Sequence, residues 1–188
     1  PNVEDRGIDE IYVDLSDISE ETRSLAQRIK DAVFAATGLS CSIGVTPNKL
    51  LSKIASDLEK PNGLTILSLD DVPIRIWPLA AKKVNGIGPK ASERLERHGI
   101  RTIGELAATP QEFLIRKFGR STGLWMHRIA YGIDDRPVVT ESEPKSISRE
   151  TTFERDLHVR QDKPELSEKF TSLCLRVGDD LKRKGYAC

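Results

Sequence analysis

The chain has 188 residues, 38 % hydrophobic and 31 % charged, enough for one good core or for two small domains and part of a third. The formal net charge is zero, from 29 basic and 29 acidic residues, and neither a membrane-length apolar run nor a secretory leader opens the sequence, so it reads as cytosolic. The totals conceal an asymmetry: residues 1–81 hold 8 basic and 13 acidic residues, 82–136 hold 11 and 6, and 137–188 hold 10 and 10. An acidic block beside a basic one suits a metal-binding half joined to a phosphate-binding half. Cys41, Cys174 and Cys188 are scattered and read as reduced thiols, and His98, His127 and His158 read as helix-surface residues rather than ligands. Pro1 and the closing run Lys182 to Cys188 read as cut ends.

The first element in chain order is Gly7 to Asp14, a β-branched and aromatic run that reads as a strand with two adjacent carboxylates, Asp9 and Glu10, set into it. One reading makes them a solvated pair; the other makes them ligands of a divalent cation, since Mg2+ needs only one or two protein carboxylates beside substrate phosphates. Alternate strand side chains face opposite ways, so both can reach one ion only if the backbone is irregular between Gly7 and Glu10; otherwise only one is aimed at it. Ser19 is placed to cap a helix from Glu20 to Thr37 that stops at Gly38 and carries Leu25, Ile29, Ala32, Val33 and Ala36 on one face. Ser40 to Thr46 reads as a second strand. Asn48 opens a helix with Leu50, Leu51, Ile54, Ala55 and Leu58 inward, ending at Pro61-Asn62-Gly63. Leu64 to Leu67 is a short third strand, and Asp70 is placed to cap a short helix ending near Trp77-Pro78.

From Pro78 the texture changes to short helical stretches: Pro89 to His98, Ile103 to Ala107, Pro110 to Phe118 and Arg120 to Tyr131. Asp134 to Glu143 reads as a linker, Lys145 to Phe153 as a strand, and Glu165 to Lys184 as an amphipathic helix with Phe170, Leu173, Val177 and Leu181 on its apolar side. One strand and one helix close no core, so the last part reads as a fragment.

The most specific short motif is Asn85-Gly86-Ile87-Gly88-Pro89-Lys90: a helical stretch, a Gly-Ile-Gly turn and a helix with proline at its first position, which together spell a helix-hairpin-helix. Gly86 and Gly88 let a phosphate approach the backbone, the free amides at the helix start donate to it, and Lys83 and Lys90 add charge on either side. Such a site holds a nucleic-acid backbone without reading bases. Lys53 could reach a phosphate near the sheet, or could simply pair with Asp57 four residues on; spacing alone leaves both open.

Ile8-Asp9-Glu10-Ile11-Tyr12-Val13-Asp14, Ser42-Ile43-Gly44-Val45, Asn48 to Asp57, Lys60-Pro61-Asn62-Gly63, Gly86-Ile87-Gly88 and Lys145 to Glu150 occur in the order found in Y-family DNA polymerases, and the chain resembles that family over essentially its whole length. The resemblance implies an α+β/α multi-domain fold: residues 1–77 the later part of a palm with an antiparallel-type sheet, 78–136 an all-helical thumb with the helix-hairpin-helix, 137–144 a linker, and 145–188 a truncated little finger. It implies Asp9 as a metal ligand, Glu10 as a metal-binding and catalytic carboxylate, Lys53 on the incoming deoxynucleoside triphosphate, and Gly86, Gly88, Lys90, Ser146 and Arg149 on primer-template DNA. Two Mg2+ ions would serve nucleotidyl transfer in lesion-bypass synthesis by a monomeric, cytoplasmic enzyme, and any sliding-clamp contact would fall to a tail beyond Cys188.

Two departures bear on this. The family commonly carries serine where this chain has Gly7, and its other metal-binding aspartate lies upstream of anything here. The resemblance therefore implies an inactive piece with no well-occupied metal. A non-catalytic relative serving as a DNA-bound adaptor is the alternative, although such a protein has no reason to keep both Asp9 and Glu10; a plain helix-hairpin-helix module would leave the α/β half without a purpose.

Overall fold

The computed structural model describes residues 1–141 and 146–186. These fall into two compact units, Pro1–Thr140 and Glu141–Cys188, divided within the stretch expected to be a linker.

In the first unit, β1 (Val3–Asp5) and β2 (Ile11–Val13) form an antiparallel hairpin with Val3 opposite Val13 and Asp5 opposite Ile11. The expected strand from Gly7 is thus shorter, and Gly7 to Asp9 belong to the bend that joins the two strands. Helix α1 (Thr22–Thr37) stops at Gly38 as expected, but Glu21 rather than Ser19 caps it, its carboxylate accepting from the amides of Arg23 and Ser24 at 3.0 and 2.7 Å. A carboxylate there satisfies two orphan donors and complements the helix dipole, which a serine hydroxyl cannot do as fully. Leu25, Ile29 and Val33 turn inward, whereas Ala32 and Ala36 stay exposed.

A βαβ unit follows. β3 (Ile43–Val45) and β4 (Leu64–Ile66) are parallel neighbours joined through α2 (Lys49–Leu58). The antiparallel pairing expected of the sheet therefore holds for β1 and β2, while β3 and β4 run parallel because a helix connects them. Asn48 caps α2 with its side chain on the Leu51 amide at 3.0 Å. Gly44 sets the height of α2 over the sheet: a Cβ there would stand 2.4 Å from the Ser52 carbonyl oxygen and 2.6 Å from the Ser56 amide. Ser52 uses that closeness to donate to the Gly44 carbonyl at 2.7 Å.

Beyond β4, Leu69–Asp71 form a 3-10 turn and Val72–Ile76 a wide π turn ending at Trp77. The expected short helix is present, but its entry is fixed by Ser68, whose amide and hydroxyl both donate to Asp71 at 2.8 Å, rather than by Asp70. Four helices complete the unit: α3 (Pro89–Glu96), α4 (Ile103–Ala108), α5 (Gln111–Phe118) and α6 (Arg120–Ala130). Leu51, Ile54 and Ile76 share one contiguous core with Leu95, Ile103 and Met126, so the α/β and helical parts are packed as one body. Trp77 joins them further by donating from its indole nitrogen to the Ala130 carbonyl at 2.9 Å. Asp134 to Val139 is not a free tether: Asp134 accepts from the Leu50 amide at 3.0 Å and the Val139 amide donates to Glu4 at 2.8 Å.

The second unit holds α7 (Lys163–Arg183) and irregular backbone. The strand expected over Lys145–Phe153 does not form across the described residues 146–153, because a strand persists only in a ladder and none of the described residues of this unit pairs with it. Lys145 itself lies outside the described residues. On α7, Leu173, Val177 and Leu181 are half-buried as expected, whereas Phe170 is exposed.

Candidate active site and nucleic-acid interface

The hairpin bend places Glu10 just before β2. Gly7 takes a φ of +131°, a conformation that favours glycine, and the Arg6 amide donates to the Glu10 carbonyl at 2.9 Å, so the backbone is irregular where two adjacent carboxylates would need it to be. Lys53 reaches the Glu10 carboxylate from α2, packed against β3 through Gly44, and forms an ion pair with Glu10 across 43 residues of sequence. Asp57, one turn further along α2, lies 3.6 Å from the Lys53 ammonium, and its other oxygen takes Lys60 at 2.6 Å. Lys53 thus touches the Asp57 partner expected from spacing and, in addition, the Glu10 carboxylate, a contact that spacing did not offer.

Partial burial disfavours the charge on Lys53, but hydrogen bonding to Glu10 and the field of Asp57 outweigh it and hold the ammonium above the usual lysine range. Burial likewise pushes the Asp57 carboxyl up, while Lys60 and Lys53 together pull it below the ordinary range. Asp9 is exposed and has no hydrogen-bonding partner among the described residues. In chemistry the two carboxylates suit a hard divalent cation, which takes oxygen donors. They supply only part of a ligand set, however: Glu10 is engaged by Lys53, and no group of three or more His, Cys, Asp or Glu able to hold a metal occurs among the described residues.

Sequence patterns assigned no role to Lys60, which entered only within Lys60-Pro61-Asn62-Gly63, or to Glu4. The spacing of Lys60 three residues after Asp57 was the available signal for the first. Glu4 is buried, pairs with Lys49 at 2.7 Å and fastens β1 to α2, a long-range contact with no local signature.

The helix-hairpin-helix is formed as expected, with a 3-10 turn at Ala81–Lys83 as its first helical stretch. Buried Ile87 anchors the loop between two exposed glycines. Gly86 has a φ of +108°, and a Cβ on it would meet the Trp125 ring at 2.8 Å; a Cβ on Gly88 would meet nothing within 4 Å. Gly88 has no capping side chain, and the amides of Gly88, Lys90 and Ala91 find no acceptor among the described residues. Lys82, Lys83 and Lys90 are exposed around them. The loop thus leaves backbone donors open to solvent beside three lysines, the chemistry that suits an anion.

In the second unit Ser146 is exposed, and Arg149 is paired with Asp180 of α7 at 2.6 Å. That hydrogen bond raises Arg149 further and lowers the Asp180 carboxyl. Arg183 reaches the same carboxylate.

Residues 1–57 match the model of the impB/mucB/samB family, 82–134 that of the DNA polymerase-iota thumb domain, and 144–188 that of the impB/mucB/samB family C-terminal domain. The fold resembles a Y-family DNA polymerase chimera with a TM-score of 0.67 at 27 % identity, over 76 % of this chain and 42 % of that one. The chain belongs to the Y-family DNA polymerases. It is similar to further members. The crystal structure of DinB from Sulfolobus solfataricus gives a TM-score of 0.65 at 27 % identity, over 74 % of this chain and 42 % of that one. DNA polymerase IV of Methanoculleus marisnigri is 42 % identical over 99 % of this chain and 51 % of its own length, and that of Moorella thermoacetica 41 % identical over 83 % and 40 %. The chain thus spans about half the length of these Y-family relatives. No described helix is long and apolar enough to cross a membrane.

Proposed function

We propose that the chain supplies palm (1–77), thumb (78–136) and little-finger (145–188) parts of a template-directed translesion DNA polymerase. The observation that carries this reading is the meeting of Glu10 and Lys53, brought together by the bend before β2 and the packing of α2 on Gly44. Asp9 and Glu10 are the residues that would hold a catalytic cation such as Mg2+, which when bound would stabilise charge on the transferring phosphate. Lys53 stands beside them to meet the triphosphate of an incoming nucleotide, a compact cation on a flexible stem. Gly86, Gly88 and Lys90 hold the duplex by one phosphate through backbone amides and charge, fixing position without reading sequence. Ser146 and Arg149 take the template backbone in the second unit. Catalysis in such a site comes from positioning and electrostatics, so each of these groups acts by where it is held.

The chain by itself is proposed to bind duplex DNA weakly and to be inactive in synthesis, because nucleotidyl transfer of this kind uses carboxylates from more than one segment. Primer extension by a protein carrying this chain at the full length of its relatives tests the roles: Asp9→Ala and Glu10→Ala should each abolish extension while leaving duplex binding intact. Near-normal extension by either variant would refute the assignment. Duplex binding that does not weaken as salt rises would refute the phosphate-holding role of the thumb.

A further inference from the structure

The carboxylates at the hairpin bend are unequal. Asp9 is exposed and without a partner among the described residues, whereas the adjacent Glu10 is already neutralised by Lys53. Lys53 has a second acceptor within reach, Asp57 at 3.6 Å, and Asp57 is held from its far side by Lys60. Glu10, Lys53, Asp57 and Lys60 therefore form a row of alternating charge in which Lys53 touches two carboxylates and can leave one without losing the other. Lysine suits such a move, having three rotatable donors on a flexible stem. The Glu10 side chain is 41 % exposed, so the exchange needs no unfolding.

We infer that Lys53 is a placeholder cation on Glu10: it neutralises that carboxylate while the site is unliganded and yields it, turning to Asp57, when a divalent cation binds at Asp9 and Glu10. The inference rests on the reading of Asp9 and Glu10 as cation ligands. It makes Lys53 a competitor for cation binding, so its removal should tighten that binding even though no ligand is added.

The test is a titration with Mn2+, followed by water-proton relaxation, of the protein carrying this chain at the full length of its relatives, which needs no catalytic activity. Lys53→Met should bind Mn2+ roughly tenfold more tightly than the unaltered protein, the order expected when a neighbouring positive charge leaves a half-solvated site. Lys60→Met removes a charge that touches Asp57 but not Glu10, and should change the affinity by less than about twofold. Adding Glu10→Gln to Lys53→Met should erase the gain. Lys53→Gln repeats the measurement if the methionine variant does not fold. If Lys53→Met binds no more tightly while Glu10→Gln weakens binding, the placeholder is wrong and the ligand reading stands. Equal effects of the two lysine variants would reduce the contact to general charge and overturn the inference. If Glu10→Gln changes nothing in either background, or no variant binds Mn2+, the ligand reading itself fails and the inference with it.

Discussion

Gly86 and Gly88 lie two residues apart in one loop, yet the structure assigns them opposite reasons for being glycine, and two alanine substitutions separate these. Gly88 has a φ of −73°, which any residue adopts, and a Cβ would project into open space. Restricting the unfolded chain favours Gly88→Ala by roughly 0.4–1 kcal/mol. Alanine is a poorer residue than glycine at a helix N-cap by a comparable amount, so net stability should shift by less than about 1 kcal/mol. The new methyl occupies the open space in front of the loop, through which a phosphate would approach the free amides of Lys90 and Ala91, and narrows that approach. Loss of a hydrogen bond to a charged group, about 1.5–3 kcal/mol, lowers duplex affinity by roughly tenfold or more. Gly86→Ala behaves differently. A φ of +108° and a contact of 2.8 Å to Trp125 strain the folded state by about 1–3 kcal/mol, and the chain should melt earlier. Fluorescence anisotropy of a labelled duplex, with thermal denaturation of the same samples, reads both quantities. Full duplex affinity in Gly88→Ala, or a loss of stability there equal to that of Gly86→Ala, would show that the loop is a structural turn and not a phosphate cradle.

Two further substitutions test the frame behind the site. Gly44→Ala forces α2 away from β3 against backbone atoms 2.4 and 2.6 Å from the new Cβ, and should cost at least about 2 kcal/mol, seen as a fall in the urea midpoint; an unchanged midpoint would mean the helix does not rest on the strand there. Glu4 is held below the usual carboxylate range chiefly by its hydrogen bond from Lys49 and by the Val139 amide. Because its folded value lies below the unfolded one, the stability it contributes is fully present above the ordinary glutamate range and lost as pH falls through the depressed value. Glu4→Gln should therefore flatten that acid limb of the stability curve; a curve that keeps its shape would place the acid sensitivity elsewhere.

The helices were largely legible in the sequence because their signals are local. Pro89 after Gly88 and Gly38 after Thr37 mark helix ends within a few residues, and α3 to α6 lie close to where the sequence reading places them. The helix-hairpin-helix was legible for the same reason, since its glycines and proline fall within four residues of one another. What sequence alone could not supply was pairing. Whether β3 and β4 run parallel, whether 146–153 finds a ladder and whether Asp134 caps α2 depend on partners far along the chain. The carboxylates show the division most clearly. Sequence placed Asp9 beside Glu10 and posed the geometric problem of two neighbours on one strand. Only the tertiary structure turned the strand into a bend and set Lys53 against Glu10, because charge neutralisation acts through space and a contact 43 residues away leaves no trace in local spacing.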